Sequence, residues 1–287
     1  MKGDPNVKAG GNQISRSLFV VLLVGMGIPT PGQTLSGNQI FKRMIRVYAE
    51  AKTYQDQGSL QTGFYQEGQT HPERNQVKKF ATAYSRATGQ FSFWYENKNR
   101  SFFDLPDKWV IWRQDHVVHQ WWSMHESLTQ KQPLADALGA LTGVSGTASR
   151  KIPGLLLKEP IGAGWGIDDL KNVKLLGFET QGDRSCYRLS GVLRGKDRAT
   201  LWIDQRTFLL IRVDEEHALG EEGFKTSISY QPKINRCIPE EFFIFEPPRA
   251  YWLWFGPILK YVLIILAAVL WFWYIRVSKQ RSLHYKS

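Results

Sequence analysis

Thr200-Leu201-Trp202-Ile203-Asp204-Gln205-Arg206-Thr207-Phe208-Leu209-Leu210-Ile211-Arg212-Val213 splits into two short runs of β-branched, aromatic and aliphatic residues, 199–203 and 208–213, around a turn signal at Asp204 and Gln205. In the second run Leu209, Ile211 and Val213 stand opposite Leu210 and Arg212, a period of two. The neighbouring runs 173–178, 187–193 and 224–230 are set off by Gly182-Asp183, Gly195-Lys196-Asp197 and Gly220-Glu221. In the last of them Phe224, Thr226, Ile228 and Tyr230 oppose Lys225, Ser227 and Ser229. One apolar and one mixed face describe a sheet solvated on one side, and short turns demand antiparallel neighbours.

The stretch 59–123 reads the same way. Phe91, Phe93 and Tyr95 alternate with Ser92, Trp94 and Glu96, and turn signals fall at Asn97-Lys98-Asn99, Pro106-Asp107 and Gln114-Asp115. Ahead of it, Ser36 is an N-cap candidate for a helix striped by Ile40, Met44, Val47, Tyr48 and Ala51, with Gly58 marking the end of that region. Between the two strand groups, Leu134, Leu138 and Leu141 at helical spacing predict a helix ended by Gly143-Val144-Ser145-Gly146. Ile152-Pro153-Gly154-Leu155-Leu156-Leu157 predicts a further turn or short helix, and 160–166 a loop rich in Pro and Gly. This apolar insertion is expected to pack on the sheet. The expectation is a mainly β, α+β fold of about ten or eleven strands with one leading helix and one helical insertion, a size that one β-rich domain accommodates.

The ends are of another kind. An apolar run over 258–275, about eighteen residues and about 27 Å as a helix, matches a hydrocarbon core of about 30 Å. Trp252, Trp254 and Phe255 flank it upstream and Trp271, Trp273 and Tyr274 downstream, as interfacial aromatics do. Arg276, Lys279, Arg281 and Lys286 follow with no acidic residue, so the tail is expected in the cytoplasm and the preceding domain outside. At the N-terminus Lys2, Lys8 and Arg16 precede the short apolar segment 18–28, which suits a secretory signal; either it is cleaved before Gln33 or it remains as an uncleaved anchor. The expected division is a signal-like 1–35, a domain over 36–248, a transmembrane helix with its aromatic flank over 249–277 and a basic tail over 278–287. The expected location is the inner (cytoplasmic) membrane, crossed once, with the main domain periplasmic.

The net charge of +11 on an exported, tethered chain favours anionic headgroups as partners, and no zinc-finger, RNP-like or helix-turn-helix pattern supports a nucleic acid. Cys186 and Cys237 are the only cysteines. Either they pair, which would contribute on the order of 3–4 kcal/mol in the chain-entropy account, or they stay as separate buried thiols.

Several stretches resemble the LolA-like superfamily of periplasmic lipoprotein-sorting carriers and their relatives. They are Ile40-Phe41-Lys42-Arg43-Met44-Ile45 through Tyr48-Ala49-Glu50-Ala51-Lys52-Thr53-Tyr54, the hairpin quoted above, Leu141-Thr142-Gly143-Val144-Ser145-Gly146 with Ile152-Pro153, and Ile238-Pro239-Glu240 with Phe243, Phe245, Pro247 and Pro248. The resemblance spans about 38–248 and implies a curved, antiparallel, incomplete β-barrel whose open side holds helices as a lid. It further implies an apolar inner face for acyl chains of lipids or lipoproteins, no catalytic residue and no cofactor. Those carriers are soluble, whereas a tethered chain is expected to exchange cargo with a neighbouring envelope protein.

Strand alternation nominates Phe91, Phe93, Tyr95, Tyr187, Leu189, Leu209, Ile211, Phe224 and Ile228, with Leu138 and Leu141 from the lid, as cavity-lining residues. The same residues would equally fill a core, and alternation leaves both open. No enzyme motif stands out. His116 and His119 would face opposite sides of a strand, which spoils joint metal ligation with His125 and Glu126. Gly162, Gly164 and Gly166 lack the strand-to-helix context of a phosphate loop, and Thr147 breaks the elbow pattern around Ser145. Two functions are therefore carried forward: a membrane-anchored binding protein for a lipid, lipoprotein or other apolar ligand, and a sensor module that binds a polypeptide and signals through its single transmembrane helix.

Overall fold

In the computed structural model, which describes residues 35–66, 69, 71–102, 105–123, 129–130, 133–157, 161, 166–219, 222–248 and 250–284, the opening hairpin becomes strands β9 (Asp197–Asp204) and β10 (Leu210–Leu219). Its turn is held by Asp204, whose Oδ1 accepts from Arg206 N at 3.0 Å, Thr207 N at 2.7 Å and Thr207 Oγ1 at 2.8 Å. Leu201 and Ile203 point inward and are fully buried, while Trp202 lies on the outer face beneath the Arg212 guanidinium, 4.8 Å from its ring. The alternation of β10 departs from the simple expectation. An irregularity between Leu210 and Arg212 buries Leu209 and Leu210 together and leaves Ile211 half-buried.

The remaining strands are β1 (Thr53–Gln66), β2 (Arg74–Ser85), β3 (Phe91–Phe102), β4 (Leu105–Gln114), β5 (Val117–Trp122), β6 (Thr129–Gln130), β7 (Lys171–Gln181), β8 (Arg184–Leu193), β11 (Glu222–Tyr230) and β12 (Lys233–Ile234). They form one sheet in the order β6-β5-β4-β3-β2-β1-β11-β10-β9-β8-β7, with β12 on β1, and every pairing is antiparallel. Among the described residues β6 and β7 remain unpaired edges, so the sheet is an incomplete barrel. The β1–β11 pairing, Leu60 opposite Ile228, joins the N-terminal and C-terminal halves of the chain.

Helix α1 (Gly37–Glu50) starts at a capping box: Ser36 Oγ accepts from Gln39 N at 3.3 Å and Gln39 Oε1 accepts from Ser36 N at 2.8 Å. Ile40, Met44 and Tyr48 are fully buried against the sheet, and the Tyr48 hydroxyl accepts from Leu210 N at 3.0 Å. The insertion forms α2 (Leu134–Ala140), α3 (Thr142–Ser145) and α4 (Ala148–Leu157). Their Leu134, Leu138, Leu141, Ile152, Leu155 and Leu156 enter the same core as Phe80, Phe91, Phe93, Tyr95 and Ile111.

Two boundaries move. The helix ends at Glu50 and β1 begins at Thr53, because Tyr54 and Asp56 alternate into the interior; Gly58 lies mid-strand, opposite Phe80. Asn97 to Asn99 is not a turn: β3 continues to Phe102 through an irregularity between Asn97 and Ser101, and the reversal follows, ahead of Pro106. The turn at Asp115 and His116 is found where expected, both residues at positive φ.

On the outer face Val110, Trp112 and Trp121 form a second cluster, into which the segment after β12 inserts Phe245, 5.2 Å from both tryptophan rings. Helix α5 (Ala250–His284) follows, and its segment Leu259–Arg276 is long and apolar enough to cross a membrane, with its side chains exposed. The signal-like segment lies outside the described residues.

Candidate binding cleft

The inner face changes character along its strands. Tyr54, Leu60, Phe80, Tyr84, Val213, Ile228 and Tyr230 are buried in the core beneath α1 and α4. Further along, the same inward positions carry Thr62 and Phe64 on β1, Gln76 and Lys78 on β2, Glu215 and His217 on β10, and Phe224 and Thr226 on β11. Over this polar end the insertion places Gly139, Thr142, Gly143, Gly146, Thr147 and Arg150, leaving an open cleft of about 510 Å³. That volume lies in the range that holds small ligands, about 300–1,000 Å³. The close seat of α3 depends on Gly146: at φ +61°, an added Cβ would stand 2.7 Å from Leu60 Cδ1.

One wall is aromatic. Phe64 and Phe224 face each other across β1 and β11 with centroids 6.2 Å apart, and His217 stacks on Phe224 at 4.3 Å. The rest is basic. Lys78, Arg150 and Arg194 line the cleft, and among its described lining residues there is no carboxylate. Lys78 Nζ donates to Val144 O at 2.6 Å and Arg150 Nη2 to Gly139 O at 3.1 Å, so both side chains span from sheet or helix to the insertion's backbone. Burial pushes the Arg150 guanidinium down from its ordinary value.

Beneath the cleft lies a buried ionic layer. Lys151 of α4 pairs with Glu215 of β10, at 2% and 1% side-chain exposure, and Arg194 Nη2 pairs with Asp197 Oδ2 at 2.6 Å. His217 bridges the two pairs. Arg194 Nη2 approaches its Nδ1 at 2.6 Å, which makes Nδ1 the acceptor and turns an Nε2 proton toward Glu215 Oε2, 3.5 Å away. Burial raises the Glu215 carboxyl, but the Lys151 charge and the bonds from His217 and Lys151 outweigh it and hold it at about 2. Among the described residues Lys151 and Arg194 thus each have a carboxylate.

Of the residues nominated from strand alternation, Phe91, Phe93, Tyr95, Leu138, Leu141, Leu189, Leu209 and Ile228 are buried in the core, and Tyr187 and Ile211 pack half-buried against it. Phe224 alone among them lines the cleft. Cys186 is buried on β8 and Cys237 is exposed beyond β12, both as free thiols. His116 is exposed in its turn and His119 stacks on Trp112 at 4.9 Å, whereas His125, Glu126, Gly162 and Gly164 lie outside the described residues. Among the described residues no cluster of His, Cys, Asp and Glu could hold a metal ion. The sequence carries one sign of the ionic layer: period two from Val213 sends Glu215 and His217 inward. A carboxylate and an imidazole at core-facing positions are the signal that would have found it.

No protein-family profile and no curated protein matches the chain. Among solved structures it is similar to a DUF1329 family protein from Desulfovibrio piger (13% identity, TM-score 0.34, 72% of this chain and 95% of that one). It is also similar to a LolA superfamily protein from Nitrosomonas europaea (11%, 0.31, 74% and 99%). A third is the MucA/MucB complex of Pseudomonas aeruginosa (13%, 0.38, 73% and 61%). At TM-scores of 0.31–0.38 and identities of 11–13% these likenesses carry no argument about the site, which is read from this chain's own residues.

Proposed function

We propose that the protein is a non-enzymatic, membrane-tethered extracytoplasmic module that binds an amphiphile, a lipid or the acylated end of a lipoprotein. The observation that carries this reading is the cleft: an aromatic wall beside basic side chains, in a chain that also has a membrane-length apolar helix. Burying the amphiphile's apolar part supplies about 25 cal/mol per Å², and the basic side chains favour an anionic head. The interior beneath α1 and α4 is filled by side chains, so the ligand is seated at the cleft and not along the whole inner face. In this reading α5 crosses the cytoplasmic membrane once, with the basic tail inside and the sheet domain outside.

The test is extraction of the full chain from native membranes in mild detergent, followed by native mass spectrometry. A co-purifying lipid or acylated peptide in stoichiometric amount is expected, and a ligand-free spectrum would refute the reading. Protease added to intact spheroplasts should digest the sheet domain; protection of that domain would refute the topology.

A second reading, a polypeptide partner, is favoured by one observation. Edge strand β7 exposes Leu176 and Phe178 at 53% and 62% beside backbone that no other described strand pairs, a template for an added strand.

A further inference from the structure

At the end of the sheet opposite the cleft, three separate segments bring basic side chains around one open pocket of about 950 Å³. Arg184 comes from the start of β8, Arg206 from the β9–β10 turn, and Lys233 and Arg236 from β12 and the residues after it. Each segment is fixed by bonds of its own. The β9–β10 turn is closed on Asp204 and tied to β8 by Gln205 N, which donates to Ser185 O at 2.9 Å. Asn235, at φ +54°, accepts from Lys52 N through its Oδ1 at 2.8 Å, and Thr53 Oγ1 donates to Arg236 O at 2.6 Å. The backbones that carry the four cations are thus in place before any ligand arrives. Among the described residues none of the four side chains makes a hydrogen bond or an ion pair, and like charges gathered this way repel until one of opposite sign joins them. The described lining includes two carboxylates. Asp204 directs Oδ1 to three bonds within its own turn, which leaves Asp183 against four positive charges.

From this arrangement we infer that the pocket is a docking site for an acidic peptide segment of a partner polypeptide, whose carboxylates meet Arg184, Arg206, Lys233 and Arg236. Guanidinium groups bind carboxylates through two parallel N–H···O bonds, and clusters of arginine are a recurring means of capturing acidic motifs. Four cations from three segments suit a ligand with several charges spaced along a chain, and about 950 Å³ far exceeds the need of a single small ion. The recess decides between a chain and a bilayer. Basic side chains that serve headgroups stand proud of a surface, whereas these ring a hollow whose lining includes the buried Leu209 and Pro232. A protruding segment enters such a hollow and a flat headgroup plane does not. Strand β1 runs from Thr53, beside Arg236, to Phe64 in the cleft, so the two sites lie at opposite ends of the sheet. This inference rests neither on the amphiphile reading nor on the edge of β7.

The test follows the fluorescence anisotropy of fluorescein-labelled octaglutamate titrated with the full chain in a neutral detergent, with labelled octaserine as the uncharged control. Octaglutamate is expected to bind about tenfold or more tightly than octaserine, and to weaken as salt rises. Arg184→Gln, Arg206→Gln, Lys233→Gln and Arg236→Gln are each expected to weaken it about threefold, the worth of an exposed ion pair, and the four together roughly fiftyfold. A second quadruple variant, Lys79→Gln/Lys171→Gln/Lys174→Gln/Arg198→Gln, removes the same charge from exposed positions outside the pocket and should bind within about twofold of the parent. An unchanged melting temperature shows that both quadruple variants are folded, as their exposed or half-buried positions lead one to expect. Equal affinity for the two peptides, equal losses in the two quadruple variants, or a folded pocket variant that binds like the parent would overturn the site. Unlabelled octaglutamate should displace the probe at lower concentration than dihexanoyl phosphatidylglycerol or inorganic phosphate. Stronger displacement by the lipid would overturn the peptide in favour of a headgroup, and stronger displacement by phosphate in favour of a small anion.

Discussion

Glu215→Gln removes the charge that balances Lys151 at a place where neither side chain reaches water. The magnitude follows from the carboxyl's own titration. Its folded value of about 2 against an ordinary 4.5 corresponds to about 3 kcal/mol of preference for the charged form in the folded state. That contribution is complete above the unfolded value and is lost as pH falls from about 4.5 toward 2. Breaking the pair at neutral pH leaves a buried ammonium beside a neutral amide and costs about 3–5 kcal/mol. Against a whole-domain stability of about 5–15 kcal/mol, this is a large fraction.

The double variant Lys151→Met/Glu215→Gln removes both charges and should recover most of the loss, because the uncompensated charge carries the cost, not the missing attraction. A residual deficit of about 1 kcal/mol is expected, since His217 loses the carboxylate facing its Nε2. The assay is urea unfolding of the full chain in detergent, by tryptophan fluorescence, for parent, both singles and the double at pH 7 and at several points down to pH 3. A Glu215→Gln variant within 1 kcal/mol of the parent at pH 7, or a double variant losing the sum of the singles, would refute the reasoning.

Asp56, buried where its carboxylate accepts from Tyr54 Oη at 2.7 Å and Thr82 N at 2.8 Å, behaves in the opposite sense. Burial raises its carboxyl to about 6 despite those bonds, so its contribution is complete below about 3.8 and falls by about 3 kcal/mol as pH rises through 6; Asp56→Asn should flatten that slope in a pH series of urea midpoints. Gly58→Ala places a Cβ 2.1 Å from Phe80 Cζ, and the ring, 5.5 Å from Tyr230 and 6.2 Å from Phe93, has little room to yield; a loss of about 1–3 kcal/mol in thermal or urea unfolding is expected. Phe245→Ala withdraws the ring that Trp112 and Trp121 enclose, and limited proteolysis should then cut within 237–248 well before it does in the parent.

Much of the sheet was legible because its determinants are local. Period two at Phe91, Phe93 and Tyr95 or at Thr226, Ile228 and Tyr230 needs no distant partner to be recognised, and Asp204 closes its turn with bonds to residues two and three further on. The Ser36 cap and the apolar length of α5 are local in the same sense. Where local composition misleads, a long-range partner decides. Asn97 to Asn99 has the composition of a turn but stays in β3, with Asn97 paired to Lys78 and Asp107 on either side, and Gly58 looks like a break but admits the Phe80 ring.

The cleft belongs wholly to the second kind. Residue types along the chain specify that Glu215, His217, Lys151 and Arg194 exist; their meeting depends on α4 lying over β10 and on the turn after β8 reaching beside it. Likewise, alternation could say that Phe93 and Phe224 both point inward, but not that helices would fill the space above one and leave the other beside an opening. Side-chain direction is a property of the strand, whereas whether that direction ends in packed atoms or in a cavity depends on what the rest of the chain places opposite.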